Sequence, residues 1–177
     1  MKALIISNMV PSIPDYVKYA NDVLAPKLDQ EVLKKSRIYE AAEDYTNPEY
    51  LSLIQENYYP KHVLRMPLNE WPDPVNRSMA GINYDLYLKM QGPSEFGVVG
   101  DAILKDWDRK ADLPKLTIPT LTIGGEYDTM DPKQMEWMST QVQNGKYLHC
   151  PNGSHWSMYD DQETYFNGLT AFINSLP

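Results

Sequence analysis

Between Leu116 and Ile173 two hydrophobic periods alternate, and that alternation limits the fold more than any other feature. Leu116-Thr-Ile-Pro-Thr-Leu-Thr-Ile-Gly124 is a β-rich run closed by Gly124-Gly125. Asp131 followed by Pro132 marks a helix start, the Asp as N-cap and the Pro at the first helical position. Met135, Met138 and Val142 give that helix an apolar face, and Asn144-Gly145 reads as its stop. Lys146-Tyr-Leu-His-Cys150 is a second short strand. Asp160 or Asp161 is placed to cap a last helix, with Phe166, Leu169, Phe172 and Ile173 along one side. Strand, helix, strand, helix in this order implies a parallel sheet with right-handed crossovers.

The chain opens on another apolar run, Met1-Lys-Ala-Leu-Ile-Ile-Ser7, which reads as a buried parallel strand. From Pro11 to about Met90 the period is helical. Prolines at 14, 26, 48, 60, 67, 72 and 74 punctuate it, as expected for short helices joined at bends. Asp15–Leu24 and Pro48–Tyr58 are the clearest helices. The expected organisation is a core strand at 1–10, a helical cap subdomain at 11–100 and an α/β core at 101–177. Three parallel strands make a small sheet with an uncovered edge. The fold expected is therefore the C-terminal part of a larger α/β sheet carrying a helical insertion.

A length of 177 residues suffices for one domain with a real core. Apolar residues make up 42% and charged residues 23%, a globular balance rather than a disordered one. A net charge of −8 argues against a phosphate-backbone binder, so no nucleic-acid partner is expected. The one cysteine, Cys150, allows no intrachain disulfide. No apolar run is long enough for a membrane span. Met1–Met9 is too short for a secretory signal. A cytoplasmic protein without membrane contact is the expectation.

Two loops carry the polar residues that could do chemistry. Gly124-Gly-Glu-Tyr-Asp128 follows one strand and Pro151-Asn-Gly-Ser-His155 follows the next. Open α/β sheets place ligands past the carboxyl ends of their strands. Neighbouring strands would bring Asp128 and His155 together. A buried carboxylate beside an imidazole fixes the ring's tautomer and stabilises the imidazolium of acyl transfer. Alone, such an Asp is more often a turn residue and such a His more often structural; the pair on consecutive strand ends is the stronger signal. Gly124-Gly125 lacks the Lys or third Gly of a phosphate loop. The spacing of His149, Cys150 and His155 fits no common metal pattern, and Cys150 reads as a buried apolar residue. No metal or cofactor is implied. Tyr58, Tyr59 and Trp71 could line a pocket or pack helices.

With these residues in place, the chain resembles the C-terminal half of an α/β-hydrolase, most closely the proline iminopeptidase family. The resemblance rests on Gly92-Pro-Ser-Glu-Phe96, Lys105-Asp-Trp-Asp108, Ile118-Pro-Thr-Leu121, Gly124-Gly-Glu-Tyr-Asp128 and Gly153-Ser-His155. It is strong from about Asn83 onward and looser before. It implies a serine-type aminopeptidase, with Asp128 as triad acid, His155 as general base and Glu95 as the ligand of the substrate's free α-ammonium. The substrate implied is a peptide or amino-acid amide with a free N-terminus. Two departures stand out. The family often has a second carboxylate directly after the acid, where this chain has Thr129; Glu126 lies two residues before it. No G-x-S-x-G nucleophile elbow exists, and Ser94 is not in one. The elbow is expected upstream of Met1, on a second polypeptide or in a longer parent. That polypeptide, or a second copy of the chain, would cover the open sheet edge. The competing expectation is an inactive peptide- or amine-binding module derived from the family. An esterase or epoxide hydrolase ranks behind both, because Gly92–Phe96 counts against it.

Overall fold

The structure, a computed structural model, describes residues 1–176. The chain forms two compact units, one of Met1–Ser12 with the segment from Asp108 onward, the other Ile13–Trp107.

The first unit holds a parallel sheet of three strands: β1 (Leu4–Ser7), β2 (Thr120–Gly125) and β3 (Gly145–Cys150), ordered β1-β2-β3. Leu4 pairs with Thr120, Thr120 with Gly145, and Gly125 with Cys150. β2 is buried at every position because it has a strand on each side. Its side chains alternate. Leu121 and Ile123 pack with Cys150, Tyr165 and Phe172 on one face. On the other, Thr122 Oγ1 donates to the carbonyl of Met135, 2.8 Å away, in α7 (Pro132–Gln141). Full burial of a side chain such as Ile123 stabilises the unit by about 1.5–3 kcal/mol. Asp131 caps α7 by accepting from the Lys133 amide at 2.9 Å, with Pro132 leading.

Four expectations change. β1 is shorter than Met1–Ser7 and only partly buried, with Ile5 42% exposed, because it is an edge strand of the described sheet. β2 begins at Thr120 rather than Leu116; Pro119 has no N–H and contributes only its carbonyl, which accepts from Leu4 N at 2.9 Å. Gly145 does not end α7, which stops at Gln141; it opens β3, where a Cβ would run into the carbonyl oxygen of Ser139. The last helix is split into α8 (Ser157–Asp160) and α9 (Gln162–Asn174). Tyr165 and Phe172 of α9 are buried, with Leu169 packed against the same cluster, whereas Phe166 and Ile173 are 46% and 49% exposed. The inward face therefore runs at i, i+4, i+7 from Tyr165.

The chain leaves and rejoins this unit at one point. Ser12 bridges Asp108, and Arg109 N donates to Pro11 O at 2.8 Å.

The second unit is helical: α1 (Ile13–Tyr19) running into a π turn (Ala20–Leu24), α2 (Gln30–Ala41), α3 (Pro48–Asn57), α4 (Tyr59–His62), α5 (Asp73–Ala80) and α6 (Tyr84–Met90). The prolines mostly start helices rather than bend them. Pro14, Pro48, Pro60 and Pro74 lie in first turns, where a missing N–H costs nothing. Asp29, Asn47 and Asn83 cap α2, α3 and α6 by accepting backbone N–H groups. The core is rich in tyrosine, with Tyr16, Tyr50 and Tyr58 fully buried beside Leu24, Ile54 and Leu64.

Candidate active site

Asp128 lies in the turn between β2 and α7 and is fully buried. Its Oδ1 is 2.9 Å from His155 Nδ1 and accepts the Met130 amide at 3.0 Å. Its Oδ2 accepts from the Asn8 side-chain amide at 2.7 Å. An ionised carboxylate can only accept, so the imidazole proton sits on Nδ1 and the basic lone pair on Nε2. His155 keeps 17% of its side chain exposed while its partner has none, as suits a base held by a buried acid. The fold thus brings together two of the three residues singled out in the sequence.

Two kinds of contact hold the loops in register. Glu126 N donates to Cys150 O and Tyr127 N to Gly153 O, each at 3.0 Å. Gly125 allows this approach, because a Cβ there would lie 2.6 Å from the carbonyl oxygens of both Gly153 and Ser154. The histidine loop is also anchored from behind. Asp161 accepts from the Asn152 amide at 3.0 Å, and Asp160 from the Ser154 amide at 3.0 Å and from the Ser154 hydroxyl. The sequence led us to expect Asp160 or Asp161 to cap the last helix, but neither side chain caps α9; both hold the loop that presents His155.

Glu126 points elsewhere. Its carboxylate lies 3.4 Å from His149 Nε2, and His149 Nδ1 lies 3.3 Å from the Tyr147 hydroxyl. The Thr129 hydroxyl turns back onto Asp128 at 3.4 Å. Cys150 is fully buried in the apolar cluster with Leu121, Ile123, Tyr165 and Phe172. Burial foremost, then the nearby Asp161 carboxylate, pushes its thiol up to about 12, which makes it inert at neutral pH. His149, Cys150 and His155 therefore go to separate partners, and the described residues contain no metal-ligating cluster.

Glu95 belongs to the helical unit. Its carboxylate is half-buried and accepts from the Tyr87 hydroxyl at 2.5 Å and from Gln91 Nε2 at 3.1 Å. Tyr87 and Gln91 stand one turn apart, α6 carrying the first and its C-cap the second. Burial above all, then the Glu95 charge, raises the Tyr87 phenol well above its ordinary range, so it stays a donor. Both donors are neutral and orient the carboxylate without neutralising it. The backbone is pinned too: Tyr16 OH donates to Glu95 O at 2.6 Å and accepts from Gly97 N at 3.1 Å. The Ser94 hydroxyl accepts from Phe96 N at 3.2 Å, a local turn contact. Tyr58, Tyr59 and Trp71 are buried and pack the helices; the Tyr58 ring lies tilted against that of Phe96, with centroids 4.6 Å apart.

Sequence reasoning passed over Asn8, Tyr87 and Gln91, and gave Asp160 and Asp161 a helix-capping role instead of the loop-holding one. For Asn8 a signal existed: it stands just past the carboxyl end of a parallel strand, the same criterion that singled out Asp128 and His155.

No protein-family profile matches the chain. A proline iminopeptidase of Flavobacterium johnsoniae is 51% identical over 176 residues, 99% of this chain and 58% of that protein. The solved structure of a Mycobacterium smegmatis proline iminopeptidase is 30% identical, with a TM-score of 0.79 over 97% of this chain and 56% of that one. The structure of VinJ is 25% identical, with a TM-score of 0.89 over 99% of this chain and 58% of that one. The chain thus spans somewhat more than half the length of the relatives it matches. In sequence and in fold the chain is similar to proline iminopeptidases over nearly its whole length, and its fold is that of part of an α/β-hydrolase.

Proposed function

We propose that the chain supplies the acid–base part of a serine aminopeptidase that removes an N-terminal residue from peptides, amides or arylamides. The observation that carries this reading is the 2.9 Å contact of His155 Nδ1 with the fully buried Asp128, at the ends of adjacent parallel strands. A serine from outside these 177 residues attacks the substrate carbonyl. Nε2 of His155 takes the serine's proton and returns it to the leaving amine, while Asp128 holds the ring and stabilises the imidazolium. Glu95 pairs with the substrate's free α-ammonium. An acylated N-terminus would leave the carboxylate unpaired and is rejected. The serine comes from a second polypeptide or from the rest of a longer protein, and its strand covers the open side of β1. A cytoplasmic location fits the single, buried, unpaired Cys150.

The test is a fluorophosphonate probe, with intact masses of every polypeptide that copurifies with the chain, and hydrolysis of proline arylamide against its N-acetylated form. The expected result is a labelled serine on sequence outside residues 1–177 and hydrolysis of the free-amine substrate alone, both lost in His155→Ala. An assembly that contains the serine-bearing polypeptide and neither labels nor hydrolyses overturns the reading.

Glu95, with its neutral donors in place, favours a second reading: amine binding by this chain without catalysis. Calorimetric titration of the chain with prolinamide and N-acetylprolinamide separates the two. Binding of prolinamide alone, without labelling anywhere, supports the binding module.

A further inference from the structure

We infer that Asn8 is a positioning residue for the acid–base pair, fixing which oxygen of Asp128 faces His155. The inference rests on the reading of Asp128 and His155 as that pair, and extends it to a third strand end.

Asn8 directly follows β1, is 5% exposed and has a φ of +51°, a left-handed conformation that Asn tolerates better than most residues. Its backbone amide continues the strand ladder, donating to Ile123 O at 2.9 Å. The chain bends at Asn8 itself, and its side chain is buried. The amide orientation is not arbitrary. The Ser7 hydroxyl donates to Asn8 Oδ1 at 2.7 Å, which leaves Nδ2 facing Asp128 Oδ2 at 2.7 Å and Ser154 O at 3.1 Å. Ser7 is tied in turn to the Tyr165 hydroxyl of α9 at 3.0 Å.

One amide thus touches both loops, the acid through Oδ2 and the histidine loop through Ser154 O. The carboxylate has two equivalent oxygens and could rotate. Met130 N on Oδ1 and Asn8 on Oδ2 make the two ends different, and Oδ1 is the end presented to His155. A charge-assisted bond to a buried carboxylate is among the stronger of its kind.

The test uses the 177-residue chain and needs no turnover. Proton NMR follows the His155 Nδ1 proton, whose downfield position and slow exchange with water report its bond to Asp128. Asp128→Asn is the control and is expected to abolish that signature. Asn8→Gly removes the amide at a position where glycine accepts the backbone angle without strain. It is expected to speed exchange of the Nδ1 proton about ten- to a hundredfold, the range of one lost hydrogen bond to a charged group. Asn8→Asp keeps the shape. When protonated it restores the donor; when ionised it places a second charge against Asp128. Its Nδ1 proton is expected to be protected at acidic pH and lose protection as the new carboxyl ionises.

Abolition in Asp128→Asn with unchanged exchange in Asn8→Gly overturns the role of Asn8 and leaves the pair intact. A signature indifferent to Asp128→Asn overturns the pair and the inference together. Should Asn8→Gly fail to fold, Asn8→Asp decides: protection equal across the titration of its carboxyl overturns the role.

Discussion

Nδ1 of His155 and Oδ1 of Asp128 lie 27 residues apart in sequence and 2.9 Å apart in space, because one strand–helix–strand unit returns the chain beside itself. Asp128 accepts from His155, Met130 and Asn8 through two oxygens. Asp128→Asn turns one of those acceptors into a donor facing a donor. It is expected to cost about 1–3 kcal/mol of stability, seen as a lower urea midpoint at unchanged slope. In an assembly with its serine, turnover is expected to fall by about 10⁴, as for other triads whose acid becomes an amide.

Gly125→Ala tests the packing of the two loops. The new methyl meets carbonyl oxygens at 2.6 Å on the opposite loop, and backbone cannot swing aside as a side chain could. A loss of about 1–3 kcal/mol is expected in thermal or chemical unfolding.

Asp160→Ala removes the acceptor of both the amide and the hydroxyl of Ser154, next to His155. The Ser154 amide is expected to lose hydrogen-exchange protection, with a global cost of about 1–3 kcal/mol. Asp161→Ala acts in the same way on the Asn152 amide.

Burial raises the Cys150 thiol from 9.0 to about 12. Near pH 8 its alkylation in the folded chain is expected to be slower than in the unfolded chain by roughly a thousandfold, a factor of ten for each pH unit. The linkage has a definite sign. The folded state holds its proton more tightly, so this contribution to stability is complete below about pH 9 and declines as pH rises toward about 12. Unfolding midpoints measured across that range in the chain and in Cys150→Ala check it: the alkaline decline is smaller in the variant.

Tyr87→Phe keeps the buried ring and removes the donor to Glu95. Prolinamide affinity is expected to drop about tenfold, since one hydrogen bond to a charged group is lost. Calorimetry with N-acetylprolinamide as control reads it.

Composition and period made the parallel β2–α7–β3 unit legible, because buried strands and amphipathic helices each follow a local rule. Asp131 and Pro132 did so for the start of α7. The strand-end rule brought out Asp128 and His155. The contents of the edge and of the loops were less legible. Ile5 reads as buried in a run of apolar residues, yet β1 is an edge strand. Phe166 and Ile173 belong to an apolar helix, yet Tyr165 and Phe172 face the sheet, a rotation that local period leaves open.

The sequence by itself determined the α/β character, the family resemblance and the two loops that carry Asp128 and His155, since these follow from short segments. Only the tertiary structure decided that Asn8 from β1 meets Asp128, that Asp160 and Asp161 hold the histidine loop rather than cap a helix, and that Tyr87 and Gln91 orient Glu95. Each of these is a hydrogen bond that satisfies a buried or half-buried polar group. Such a group takes its partner from whatever the packing brings within 3 Å or so, which no local pattern of residues records.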